Sequence, residues 1–226
     1  MTNPDYTHIT LLVDRTGSME RIRDDAEGAV NAFINEHKKV TDSKASLLLI
    51  DFDGGYGDEP GYRVIYDGDI AEAPTYALLP RANTPLRDSI MKAIIDTGTK
   101  LAKMNEDMRP GAVIFVVQTD GQENASREFT QAQVIEAIKR HEDQFKWTFI
   151  FLATGPDAFS ASRDYVGTRM MQTNTVSNTG GGTSHAASTA YLAGATVAQR
   201  KGAREPDAAY AAEVDDRGNV EEVAPD

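Results

Sequence analysis

Two kinds of oxygen-bearing side chain stand out by type and spacing. The run ITLLVDRTGSM, Ile9 to Met19, is a short apolar segment that ends in Asp14, with hydroxyls following at Thr16 and Ser18. Residues two apart in an extended loop point the same way, so Asp14, Thr16 and Ser18 can converge on one point. Gly17 lets the backbone turn tightly between the two hydroxyls. Two later segments share this character. NTPL (Asn83 to Leu86) carries Thr84 at the start of a long helical pattern, and TDG (Thr119 to Gly121) carries Asp120 at the end of the strongest apolar run. Carboxylates and hydroxyls gathered at one point make a site for a hard cation. Magnesium takes oxygen ligands in near-octahedral geometry at about 2.0–2.1 Å and keeps several waters, and manganese has similar preferences.

The elements that would position these residues follow from periodicity. Ile9 to Val13 reads as a strand, and Ile22, Ala26, Ala29, Val30, Phe33 and Ile34 form one apolar stripe on a helix from about Glu20 to Lys39. ASLLLIDF (Ala45 to Phe52) is a near-continuous apolar run, as expected of a strand covered on both faces. YRVIYDG (Tyr62 to Gly68) follows a connector too short for a crossover helix, so this pair is expected to be antiparallel. Leu86, Ile90, Ala93, Ile94, Thr97 and Leu101 mark a second helix, Ala112 to Thr119 a strand, Thr130 to His141 a helix and Lys146 to Thr154 another strand. Beyond these, the pattern predicts a short helix after Pro156, an edge strand at RMMQTN and a small-residue helix from Thr183 to Arg200.

Strands alternating with amphipathic helices predict an α/β fold: a doubly wound, Rossmann-like, mostly parallel sheet with one antiparallel edge strand and helices on both faces. In such sheets ligands sit beyond the C-terminal ends of the strands, where loops meet helix N-termini, and all three polar segments fall at such places. The expected division is a domain over residues 1–200 and an acidic, flexible tail over 201–226, with room for a short helix around Ala208 to Val214.

Composition narrows the partners. With 226 residues, 40% of them apolar and 26% charged, the chain fits a globular protein. Its formal net charge of −12 repels phosphate backbones and anionic membranes, so neither nucleic acid nor membrane is expected as a partner. Without cysteine it has neither disulfides nor thiolate metal sites. The N-terminus has no basic segment or long apolar segment, and a cytoplasmic location is expected.

The pattern Asp14-x-Thr16-x-Ser18, then Thr84, then Asp120, resembles the metal-ion-dependent adhesion site (MIDAS) of the von Willebrand factor type A domain family (vWA), whose signature is Asp-x-Ser-x-Ser, a distant Thr and a distant Asp. Thr16 replaces the first Ser, keeping the hydroxyl and adding a methyl group. The resemblance covers the chain from about residue 6 to 200, in motif order and element order, and is closer to intracellular bacterial and phage-like members than to animal adhesion proteins. It implies a vWA fold and a metal centre of Asp14, Thr16, Ser18, Thr84 and Asp120. Thr16, Ser18 and Thr84 would donate hydroxyls to Mg2+ or Mn2+, and Asp14 and Asp120 would act mainly through water. It also implies a noncatalytic protein-binding role, the ion offering an open position to a partner's carboxylate. Partners of the AAA-type ATPase class or a multiprotein assembly follow by the same analogy.

Each piece alone has a plainer reading. Thr16 and Ser18 could cap a helix, Thr84 before Pro85 matches an N-cap with proline at N1, and Asp120-Gly121 could be a turn. DFDGGYGDE (Asp51 to Glu59) lacks the spacing of a calcium loop and reads as an acidic turn, and Arg15 is expected to point outwards, into solvent or towards a partner. The four histidines, His8, His37, His141 and His185, lack metal-ligand spacing. His37 and His141 fall near helix ends, where a histidine commonly partners the helix dipole. A metal-dependent hydrolase or phosphoryl-transfer enzyme is the catalytic alternative. It needs a nucleophile and an acid–base group near the metal, and the chain contains no Gly-x-Ser-x-Gly elbow or phosphate-binding Gly-x4-Gly-Lys loop. A structural subunit of a larger assembly is the third reading. The expectation is no enzyme.

Overall fold

In the computed structural model, residues 2–120, 123–154, 176–178, 194, 196–197, 200, 211–214 and 220–223 are described. Among these residues eight strands form one sheet: β1 (Asn3–Asp14), β2 (Lys44–Phe52), β3 (Tyr62–Asp69), β4 (Pro110–Thr119), β5 (Thr148–Thr154), β6 (Val176–Asn178), β7 (Ala211–Val214) and β8 (Val220–Val223). Their order is β3-β2-β1-β4-β5-β6-β7-β8. The neighbours from β2 to β7 run parallel, whereas β3 is antiparallel to β2 and β8 to β7. The expected antiparallel edge is therefore β3, and a second one, β8, stands at the far side. Residues Ala211–Val214, where the sequence leaves room for a short helix, pair as a strand instead.

Among the described residues, α1 (Arg23–Lys38), α2 (Leu86–Ala102) and α3 (Gln131–Phe145) cover the sheet. Strand alternation decides which side each residue serves. Ile9, Leu11 and Val13 pack with Ala26, Val30, Phe33 and Ile34 of α1 on one face. Leu12, Ile50, Phe115 and Val117 pack with Ile90 and Ile94 of α2 and with Val134 and Ile138 of α3 on the other. Fully burying one such aliphatic side chain contributes about 1.5–3 kcal/mol, so the two apolar layers dominate the stability of the sheet. All six α2 residues singled out by periodicity are buried. The α1 stripe is buried too, except that Ile22 belongs to a 3-10 turn (Gly17–Ile22) before the helix and is only partly covered.

Two buried polar groups tie the layers together. On β1, the His8 ring contacts the Ser46 hydroxyl at 2.7 Å and the Thr10 hydroxyl at 3.3 Å, and Thr10 in turn meets Thr97 of α2 at 2.8 Å. At the C-terminus of α1, His37 contacts Thr196 at 2.9 Å, and the Arg200 guanidinium donates to the carbonyls of His37, Val40 and Ser43. An arginine there satisfies carbonyls that the helix end leaves without partners. Arg200 thus takes the place at the helix end that sequence gives to His37, which is fully buried. Gly194, Thr196, Val197 and Arg200 are helical, within the expected Thr183–Arg200 helix. The predicted helix after Pro156 and the RMMQTN strand lie outside the described residues.

Candidate metal centre

Register brings the first and last carboxylates side by side. Val13 of β1 pairs with Gln118 of β4, so Asp14 lies level with Thr119 and one step from Asp120. The Thr119 hydroxyl donates to Asp14 Oδ2 at 2.7 Å, and the Thr16 amide donates to Asp14 Oδ1 at 2.8 Å. Asp14 is fully buried and Asp120 is 7% exposed. Burial pushes the Asp14 carboxyl from its ordinary 3.8 up to about 7, against the hydrogen bonds from Thr119 and Thr16, and the charge of Asp120 adds to the rise. Among the described residues no ion pair includes Asp14. Its charge is met there by neutral donors.

Thr16 and Ser18 project from the loop after β1. Thr16 occupies the N-cap position of the 3-10 turn, yet its side chain makes no capping bond. Its hydroxyl lies 3.2 Å from that of Ser18 instead. The capping reading is thus not how the hydroxyls are used. Two cis ligands of an octahedral ion with bonds of about 2.1 Å would be about 3.0 Å apart, so this hydrogen-bonded pair is compatible with one edge of such a shell.

Thr84 arrives on the segment between β3 and α2. It is 2% exposed and precedes Pro85, which takes the N-cap position of α2, so the Thr84 side chain does not cap that helix either. Its amide donates to Asn124 Oδ1 at 2.8 Å, and its carbonyl accepts from the amides of Asn124 and Ala125. On the other side, the Gly17 amide donates to Ala82 O at 3.0 Å and the Arg81 amide to Arg15 O at 2.8 Å. A Cβ on Gly17 would stand 3.2 Å from Ala82 O. A side chain at position 17 would therefore press on the second loop, so the close approach of the two loops favours glycine there.

The five residues thus lie on three loops that are joined by hydrogen bonds. Direct side-chain contact is present between Thr16 and Ser18, while Asp14 reaches Thr16 through its amide and feels Asp120 through charge. Among the described residues no three His, Cys, Asp or Glu side chains gather as a metal group. A hydroxyl-rich set with two carboxylates is a different donor class, suited to hard, incompletely neutralised ions. The donor types, the edge-length hydroxyl pair and the buried Asp14 without a cation all fit a magnesium-like ion.

Two expectations need correction. Arg15 does not point outwards: it is 2% exposed, with Nε 3.2 Å from Asp51 Oδ1 and Nη2 3.0 Å from Asp53 Oδ2. The start of DFDGGYGDE is likewise more than an acidic turn, since Asp51 and Asp53 are both buried in ion pairs. Arg63 binds Asp51 through two nitrogens at 2.9 and 2.7 Å, and Arg81 Nε binds Asp53 at 2.6 Å. Sequence spacing also misses Thr119 as a partner of Asp14. Its only signal there is its place immediately before Asp120.

No family model matches the sequence, and no curated protein matches it. Solved structures do. The von Willebrand factor type A protein from Catenulispora acidiphila aligns at TM-score 0.56 and 15% identity, over 84% of this chain and 42% of that one. The pilus adhesin SpaC from Lactobacillus rhamnosus GG, in its open conformation, aligns at TM-score 0.59 and 16% identity, over 85% and 30%. The vWF domain of the type V pili tip protein Mfa5 from Porphyromonas gingivalis gives TM-score 0.59 and 10% identity, over 88% and 97%. The chain spans less than half the length of the first two. Among the described residues no helix is long and apolar enough to cross a membrane. The order of strands, the layered helices and these alignments together give the chain the fold of von Willebrand factor type A domains.

Proposed function

We propose that the chain is a noncatalytic, divalent-metal-dependent protein-binding domain. Thr16, Ser18 and Thr84 hold Mg2+ or Mn2+ through hydroxyls, and Asp14 and Asp120 hold it through water. The observation that carries this reading is the burial of Asp14 among neutral donors, beside two hydroxyls spaced like one edge of an octahedron. An ion held mainly by hydroxyls and water keeps much of its charge, and it favours an incoming carboxylate over a further water. An Asp or Glu of a partner protein supplies the last ligand. The pilus adhesin and the pilus tip protein, which share the fold, are in keeping with a binding role. Acidic protein partners, in an assembly or beside an AAA-type ATPase in the cytoplasm, belong to the same reading.

The test is thermal unfolding in magnesium, in manganese and in chelator. Metal at a hundredfold excess over its dissociation constant stabilises the fold by about 2.7 kcal/mol. Identical midpoints at millimolar metal and in chelator would remove the basis of the proposal.

A further inference from the structure

The loop that delivers Thr84 is held in a conformation it would not adopt alone. Ala82 has φ +58°, in the left-handed region that a residue with a Cβ disfavours. Such a conformation persists only where its surroundings fix it. The fixing groups are on both sides of Ala82. The Arg81 amide donates to Arg15 O, Ala82 O accepts from the Gly17 amide, and the Thr84 amide is bound by Asn124.

The Arg81 side chain adds a grip of another kind. Its Nε donates to Asp53 Oδ2 at 2.6 Å, and its Nη1 reaches Glu59 on the same β2–β3 connection. The same Oδ2 atom of Asp53 lies 3.0 Å from Arg15 Nη2. Asp53 is 2% exposed, and its other oxygen accepts from the Gly55 amide at 2.6 Å. One carboxylate oxygen therefore joins the loop carrying Thr16 and Ser18, through Arg15, to the loop carrying Thr84, through Arg81. Charge-assisted contacts of this sort are the strong ones, and here both arginines converge on an acid shielded from water. The two ends of the connection also approach closely, the Asp53 amide donating to Gly61 O at 2.6 Å. A Cβ on Gly61 would lie 2.2 Å from Asp53 O.

We propose that Arg81, anchored on Asp53, is the positioning residue that fixes Thr84 relative to Thr16 and Ser18, which makes the β2–β3 connection part of the metal-binding apparatus. This rests on the metal-site reading above. Arg81 touches no proposed ligand atom. It acts by setting the distance between the two hydroxyl-bearing loops.

The experiment uses the full chain and the variants Arg81→Ala and Arg81→Lys. Arg81 is the member of the network to change, because Asp53 keeps Arg15 as a partner when Arg81 is shortened. Amide hydrogen exchange in chelator should show faster exchange at Gly17 and Thr84 in Arg81→Ala, with the β1 and β4 amides unchanged. Magnesium titration by calorimetry should show affinity about 10- to 100-fold weaker in Arg81→Ala, partly restored in Arg81→Lys. Unaltered loop exchange, or equal magnesium affinity in wild type and Arg81→Ala, would overturn the proposal. A lowered melting midpoint in chelator with the metal-induced increment preserved would overturn it too, since that outcome makes Arg81 merely structural. Wild-type protein that takes up no metal refutes the metal-site reading and the ligand-positioning role with it, and the exchange result then decides separately whether Arg81 holds the loop.

Discussion

Replacing Asp14 by asparagine should make the metal-free protein more stable at pH 8 and leave it nearly unchanged at pH 4. The folded-state carboxyl titrates at about 7 against 3.8 ordinarily, because burial opposes its charge. A folded state that binds the proton more tightly loses stability as pH rises between these two values, and the full penalty remains above pH 7. Each pH interval of one is worth about 1.4 kcal/mol, so the penalty is about 4 kcal/mol. The asparagine can keep both contacts: its carbonyl oxygen accepts from the Thr16 amide, and its amide donates to the Thr119 hydroxyl. Two buried histidines complicate the raw profile. Burial lowers His8 to about 4 and His37 to about 3, so both destabilise the fold as pH falls, opposite in sign to Asp14. The quantity to follow is therefore the difference between variant and wild type. Urea unfolding in chelator, from pH 4 to pH 8, should show the advantage of Asp14→Asn growing by about 4 kcal/mol. Adding magnesium at pH 8 should shrink it by stabilising wild type alone. A flat difference across this range, or an Asp14→Asn protein less stable than wild type at pH 8, would refute the claim that Asp14 carries an uncompensated buried charge.

The remaining expectations are shorter. Arg15→Leu should destabilise the fold by about 3 kcal/mol in urea unfolding, near the lower end for breaking a buried ion pair, because Asp51 keeps Arg63 and Asp53 keeps Arg81. A loss below about 0.5 kcal/mol would place the Arg15 guanidinium in solvent, as sequence alone suggests. His8→Asn should flatten the acid limb of stability. Neutral His8 is favoured by burial and by Lys100 and opposed by Asp67, so its contribution is present above pH 6.5 and lost, by about 3 kcal/mol, as pH falls to about 4. An acid limb identical to that of wild type would show His8 to titrate normally.

What is legible in the sequence is whatever repeats locally. The i, i+4, i+7 spacing of α1 and α2 and the continuous apolar runs of β1, β2 and β4 need no knowledge of distant partners. The short connector after Phe52 is enough to give β3 its direction. Two of the candidate ligands are near one another for a related reason: β1 and β4 are parallel neighbours, so Asp14 and Asp120 at their C-terminal ends share one edge of the sheet, whereas Thr84 comes from the segment before α2 and is not placed by that rule. Arg15 escapes such a reading because its partners, Asp51 and Asp53, lie one strand away, across the β1–β2 pairing. Nothing in its local sequence separates a solvated arginine from a buried one. The partnership of Thr119 with Asp14 is hidden in the same way, since it depends on the β1–β4 register. His8 looks solitary because Ser46 and Thr97 come from different elements.

The position of Arg15 also explains why its guanidinium does not pair with Asp14, which has no cation partner among the described residues. An arginine next in sequence to a buried carboxylate is the obvious group to neutralise it. Alternation along the extended chain sends the two side chains to opposite sides, so Arg15 meets Asp51 and Asp53 while Asp14 turns towards Thr119. Asp51 and Asp53 alternate as well, with Phe52 between them, so both can face Arg15 from one strand end. The arginine is thereby committed to the β2–β3 connection, and its Nη2 helps fix the same Asp53 oxygen that Arg81 uses. The buried ion pairs cost desolvation, and apolar residues replacing arginine and aspartates together could match them in stability alone. What such a replacement would lack is the link between the Arg15 loop and the Arg81 loop. The network thus has two consequences from one residue: it withholds the nearest cation from Asp14, and it ties together the loops that bear Thr16, Ser18 and Thr84. Arg15→Leu removes only the tie, because among the described residues Asp14 pairs with no cation in either protein. Its magnesium affinity should therefore fall as that of Arg81→Ala does, by about 10- to 100-fold. A gain in affinity would show instead that Arg15, although turned away, opposes the ion by its charge.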